Sequence, residues 1–153
     1  MSEIFRREML TEIEISATAD RVWGVLTDFG SYCEWNPMII RAGGELRTGV
    51  RLKVRFQPKG SKGRTFRPRL LVVEPDRELR WLGWPRFPFF FDSEHYFTIE
   101  RSHNGKTRLK HGLVEYGLVT PLVAGGMEKS SRGHFKKMNE ALKERAELNS
   151  GGS

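Results

Sequence analysis

Residues 91–116 read FDSEHYFTIERSHNGKTRLKHGLVEY, and this stretch decides the fold. Successive residues of a strand point to opposite faces. Phe91, Ser93, His95, Phe97 and Ile99 therefore share one face, while Asp92, Glu94, Tyr96, Thr98 and Glu100 share the other. The first face is the apolar one and is the one to bury. Beyond the turn, Leu109, His111, Leu113 and Glu115 alternate with Arg108, Lys110, Gly112 and Val114. Asn104-Gly105 is a hairpin turn signal, but a two-residue turn centred on it would set inward residues against outward ones. A three-residue loop with Gly105 in the left-handed conformation pairs Ser102 with Lys106 and keeps the faces matched. That register predicts Phe97 opposite His111, His95 opposite Leu113, and Ser93 opposite Glu115. His95 then lies diagonal to both His111 and Glu115, within reach of long side chains.

Upstream of the hairpin, Met9, Thr11, Ile13 and Ile15 alternate with Leu10, Glu12, Glu14 and Ser16, the pattern of a first strand. The period then changes to helical. Thr18 or Asp20 is placed to cap a short helix carrying Val22, Trp23, Val25 and Leu26; Asp28 is placed to cap a second short turn through Tyr32 to Trp35, which Pro37 stops. Further strands are predicted over residues 38–42, 50–57, 66–74 and 78–83, with Pro75-Asp76 as a tight turn. From Met127 to Leu148, residues Met127, Ser131, Phe135, Met138, Leu142 and Arg145 recur at helical spacing, which predicts one long amphipathic helix. Ser130, Ser131, Gly133 and Met138 make its inner face small or flexible, leaving space beneath it. The class is α+β, in the order β-α-α-β6-α.

The chain has 153 residues, enough to remove roughly 68–70% of its unfolded surface from water. It reads as a single domain over 1–149, with Ser150-Gly151-Gly152-Ser153 as a flexible linker or appended tail. The single cysteine, Cys33, excludes an intrachain disulfide and a multi-cysteine zinc site. No secretory signal or transmembrane run is present, so a cytoplasmic protein is expected. The formal charge of +7 raises the question of nucleic acid. Arg51, Lys53 and Arg55 alternate with Val50, Leu52, Val54 and Phe56, and Arg67 and Arg69 extend that face. This is the pattern of a strand with a solvated outer side, and no specific nucleic-acid partner is expected. No phosphate-binding loop, zinc spacing or dinucleotide fingerprint occurs, so no cofactor and no metal are expected.

In an antiparallel meander, alternate connections emerge at one end. Pro58 to Arg64, Trp84 to Phe90 and Gly117 to Gly126 should therefore share a rim. The second is aromatic and the third apolar, which predicts either a gated mouth or a plugged end of the core.

Several segments carry a family resemblance. They are Thr11-Glu12-Ile13-Glu14-Ile15, residues Val22 to Phe29, Glu34-Trp35-Asn36-Pro37, Val73-Glu74-Pro75 with Glu78 to Trp81, Glu94-His95-Tyr96-Phe97, and Phe135 to Lys143. Together they resemble the START/Bet v 1-like superfamily, specifically its SRPBCC or polyketide cyclase/dehydrase-like members, over nearly all of residues 8–148. The resemblance implies a helix-grip fold, a curved seven-stranded antiparallel sheet wrapped around the C-terminal helix with a ligand cavity between. It specifies fold strongly and function weakly. Members often carry histidine at the positions of His95 and His111. Glu115 departs from the pattern, because an aromatic is usual there and the acidic residue usually lies near Leu113. Glu115 faces inward in the plain hairpin register; a one-residue bulge near Gly112 would turn it to solvent.

Two main functions follow. The first is binding of a hydrophobic small molecule, lipid-like or polyketide-like, in a cavity lined by Trp35, Phe56, Leu70, Trp81, Phe91, His95, Phe97, His111, Leu113, Ser131, Phe135 and Met138. The alternative is a cyclase or dehydratase-like enzyme using an inward Glu115 with His95 or His111, with Tyr32 or Ser131 as hydrogen-bond donors. A third reading is a protein-interaction module on the basic sheet face. Transient membrane contact is compatible with a lipid-like cargo, and the sequence carries no signal of oligomeric state.

Overall fold

The computed structural model describes residues 6–83, 92–118 and 120–150. The first strand, β1 (Arg6–Ile15), buries Met9, Thr11 and Ile15 on the face that alternation selects. Two short helices follow, α1 (Ala19–Thr27) and α2 (Tyr32–Trp35), separated by a 3-10 turn at Phe29–Ser31. Helix α1 buries Val22, Trp23, Val25 and Leu26. The Asn36 side chain ends this section. Its Oδ1 accepts hydrogen bonds from the backbone N–H groups of Met38 (2.9 Å) and Ile39 (2.8 Å), which launches the next strand across Pro37.

The remaining strands are β2 (Ile39–Gly43), β3 (Lys53–Phe56), β4 (Arg64–Phe66), β5 (Arg69–Glu74), β6 (Glu78–Leu82), β7 (Asp92–Arg101) and β8 (Thr107–Tyr116). They form a five-stranded sheet in the order β1-β8-β7-β6-β5 and a three-stranded sheet β2-β3-β4. All pairings are antiparallel. The expected single strand over 66–74 is thus two strands, which divides the seven-stranded sheet and makes eight described strands. Pro68 lies between them and has no N–H to donate to a ladder. The two sheets remain stitched at that point by an Arg51–Arg69 bridge and by Leu52 N–H donating to the Pro68 carbonyl at 2.8 Å. The curved antiparallel architecture otherwise stands as the sequence implies.

The hairpin has the register read from its sequence: Phe97 pairs with His111, His95 with Leu113 and Ser93 with Glu115. Ser102 N–H donates to the Lys106 carbonyl at 2.8 Å across the three-residue turn. Asn104 (φ 57°) and Gly105 (φ 75°) both take left-handed conformations there.

The long helix α3 (Thr120–Ser150) begins earlier than expected, so residues 120–126 are helical and not part of a loop. Pro121 falls in the first turn, where its missing N–H leaves no intrahelical bond unmade. The helix also runs one residue into the expected tail. Phe135, Met138, Leu142 and Ala146 are its buried face. Ala146 replaces Arg145 in that row: Arg145 instead reaches Glu34 at 2.8 Å, and Arg21 donates to the Ala146 and Arg145 carbonyls. Gly133 is exposed, so it makes no room beneath the helix. The segment Trp84 to Phe90 and the predicted cavity residue Phe91 lie outside the described residues.

Candidate functional site

The helix does not fill the space it covers. A cavity of about 320 Å³ lies between α3 and the two sheets, walled by Met38, Ile39, Phe56, Arg64, Phe66, Trp81, Gly83, Ser93, His95, Leu113, Glu115, Ser131 and Phe135. The small sheet supplies one wall through Ile39, Phe56 and Phe66, and the large sheet the other through Trp81, His95 and Leu113. Ser131 and Phe135 come down from the helix. Arg64, Gly83, Ser93 and Glu115 flank the chain connections that were expected to share one rim, which sets the cavity at that end of the sheets.

The two histidines sit in a column of rings, His95 in the cavity wall and His111 buried behind it. His111 stacks on Phe135 with centroids 3.9 Å apart and an interplanar angle of 7°, and on Phe97 at 4.2 Å. His95 stacks on Phe135 at 4.7 Å and lies against Trp81 at 4.8 Å. His95 Nε2 and His111 Nε2 are 2.6 Å apart. His111 Nδ1 is 2.7 Å from Asn139 Oδ1. Asn139 Nδ2 donates to Thr11 Oγ1 at 2.9 Å, and Thr11 Oγ1 donates to the His111 carbonyl at 2.7 Å. Residues from β1, β7, β8 and α3 thus share one hydrogen-bonded chain, and Thr11, His111 and Asn139 are all buried.

Burial disfavours the charged form of each imidazole. It pushes His111 down to about 3, against a smaller upward pull from the Asn139 hydrogen bond. His95 is held well below its ordinary value, by burial first and by the neighbouring His111 second. The pair is therefore neutral at physiological pH.

Of the residues predicted to line a cavity, Phe56, Trp81, His95, Leu113, Ser131 and Phe135 do so, and the candidate catalytic Glu115 joins them. Glu115 is buried on the inward face with no bulge at Gly112, since the β7–β8 register is continuous. Leu70, Phe97, His111 and Met138 point inward too but pack fully into the core behind the wall. Trp35 packs edge-on against Tyr32, at 5.1 Å, away from the cavity. Tyr32 is not available to a ligand, because it is buried and its hydroxyl donates to the Leu26 carbonyl. Met38, Ile39, Arg64, Phe66, Gly83 and Ser93 were not predicted. Ser93 was legible from its place opposite Glu115. The others come from the fold of the small sheet over the large one and from the end of β6, which no local pattern encodes. Among the described residues no group of three or more His, Cys, Asp or Glu side chains is placed to hold a metal ion.

A curved antiparallel sheet gripping a long C-terminal helix around a lined cavity defines the START/Bet v 1-like class of proteins. Within it, the chain belongs to the family described as polyketide cyclase/dehydrase and lipid transport, whose sequence profile matches residues 6–147. Among solved structures, it is similar to a START superfamily protein from Mycobacterium smegmatis (19% identity, TM-score 0.72, covering 92% of this chain and 97% of that one). It is also similar to the major latex-like protein 151 of Panax ginseng (8% identity, TM-score 0.72, 93% and 98% covered). A third is norcoclaurine synthase from Thalictrum flavum in complex with dopamine and hydroxybenzaldehyde (12% identity, TM-score 0.67, 91% and 85% covered). At these identities the likeness is one of fold. No curated protein matches the chain's sequence significantly. Among the described residues no helix is long and apolar enough to cross a membrane.

Proposed function

We propose that the protein binds a hydrophobic small molecule, lipid-like or polyketide-like, in the cavity beneath α3. The observation that carries this reading is the cavity wall itself: about 320 Å³ surrounded by Phe56, Phe66, Trp81, Leu113 and Phe135, with His95, Ser93, Ser131, Arg64 and Glu115 as its few polar groups. Such a volume falls at the lower end of the usual range for small-molecule pockets, and an apolar lining with sparse polar groups suits an apolar ligand held in one orientation. The neutral histidine pair supports binding over proton transfer. A base whose conjugate acid is destabilised this strongly takes up a proton poorly at neutrality. The lone exposed Cys33 fits a cytoplasmic setting.

The second reading is a cyclase or dehydratase-like enzyme, and the placement of Glu115 favours it. A buried carboxylate shares the cavity wall with His95 and could act on a proton next to a carbonyl. His111 would serve there as a positioning residue, since it lies behind the wall.

Native mass spectrometry of freshly purified protein tests the first reading: a co-purifying apolar ligand is expected, and a protein that neither retains nor takes up any such molecule overturns it. The second is tested by a double-mutant cycle of Glu115→Gln and His95→Gln, read by stability, ligand affinity and turnover of β-keto substrates. Coupling in affinity without turnover supports the binding pocket. A large loss of turnover with stability preserved supports the enzyme.

A further inference from the structure

The hydrogen bonds around the histidine pair have one self-consistent direction, and it starts from a group that cannot donate. The His111 carbonyl oxygen only accepts, so the Thr11 hydroxyl at 2.7 Å gives its single proton there. Thr11 Oγ1 is then left to accept, and the Asn139 amide nitrogen donates to it at 2.9 Å. This orients the amide, so Asn139 presents its carbonyl oxygen to His111 Nδ1 at 2.7 Å, which requires a proton on Nδ1. A neutral His111 therefore has its lone pair on Nε2. At 2.6 Å that lone pair must meet a donor, and the donor is His95 Nε2–H. In a neutral His95 the remaining lone pair is on Nδ1. Burial keeps both rings in the neutral form that this chain of reasoning uses.

An imidazole in water exchanges tautomers and can offer either a donor or an acceptor. His95 has lost that freedom, because its Nε2 proton is held by a chain that runs through β8 and α3 to β1. It lines the cavity, and among the described residues its Nδ1 makes no hydrogen bond. We propose that the cavity's ligand carries a hydroxyl group that donates a hydrogen bond to His95 Nδ1, so that the site selects phenols, alcohols or enols over the corresponding ethers, ketones and hydrocarbons. Thr11, His111 and Asn139 are positioning residues that fix this preference from behind the wall. A guest offering only a carbonyl oxygen at this point would set lone pair against lone pair. The proposal rests on the binding reading above and narrows it.

Two measurements on the full chain test it. Long-range proton–nitrogen correlation spectra of protein labelled with 15N-histidine, at pH 7, should show His95 as the Nε2–H tautomer and His111 as the Nδ1–H tautomer. Calorimetric titration with 2-naphthol and with 2-methoxynaphthalene should give tighter binding of the naphthol, on the order of tenfold. In Asn139→Leu and Thr11→Val, which release the tautomer, that ratio should fall toward one. If those variants do not fold, the wild-type spectra and the probe pair still decide. Equal affinity for the two probes, or a proton on His95 Nδ1, overturns the hydroxyl inference and leaves cavity binding standing. Failure of both probes to bind overturns the binding reading and the inference with it.

Discussion

Lowering the pH from 7 to 5 should destabilise the protein by about 2 kcal/mol through His111 alone. In the unfolded chain this side chain titrates near 6.5, whereas burial in the folded protein pushes it down to about 3. Between those values the unfolded state binds a proton that the folded state refuses. Stability therefore falls as pH falls, by about 1.4 kcal/mol per unit once the pH is below about 6.5, and it is level above that. The 0% exposure of the His111 ring justifies counting its share in full. His95 is shifted in the same direction, by burial first and by the neighbouring His111 second, and adds to the loss. Urea denaturation followed by tryptophan fluorescence at pH 7, 6 and 5 measures the slope. His111→Gln removes the titration, so its stability should change about 2 kcal/mol less over the same interval. A wild-type stability that is level from pH 7 to 5, or a His111→Gln slope as steep as wild type, would refute the buried neutral pair.

Leu142 is fully buried on the inner face of α3, and Leu142→Ala should cost about 2–5 kcal/mol by denaturant titration; an unchanged midpoint and slope would remove it from the core. At Gly112 an added Cβ would collide with the Tyr96 ring and hydroxyl and stand 2.8 Å from the Met9 carbonyl. Gly112→Ala should therefore destabilise by about 1–3 kcal/mol, and a neutral effect would mean that β7 and β8 have room the structure does not show. Arg51, Lys53, Arg67 and Arg69 are exposed on the outer side of their strands. Any association with nucleic acid through them should weaken steeply with salt, and sequence-selective binding that persists at physiological salt would contradict this.

What the sequence determined by itself is the hairpin and the faces of its strands. Side-chain direction alternates strictly, and the demand that Phe97 and His111 face the same way left only the three-residue turn, so the approach of His95 to His111 followed from local rules alone. The two short helices before Pro37 and the amphipathic row of Phe135, Met138 and Leu142 were legible for the same reason, as each is a periodicity within one element. Family motifs carried the rest of the fold class. Only the tertiary structure decided which inward residues meet a void and which meet one another. Phe97, His111, Leu70 and Met138 have the same inward signature as Trp81, His95 and Leu113, yet they are covered, because depth depends on how the small sheet closes over the large one beyond Pro68. The Thr11–Asn139–His111 chain is likewise invisible in sequence: its members are 28 to 128 residues apart in pairwise contacts. They are brought together only when α3 is laid across β1 and β8, where burial makes each hydrogen bond obligatory.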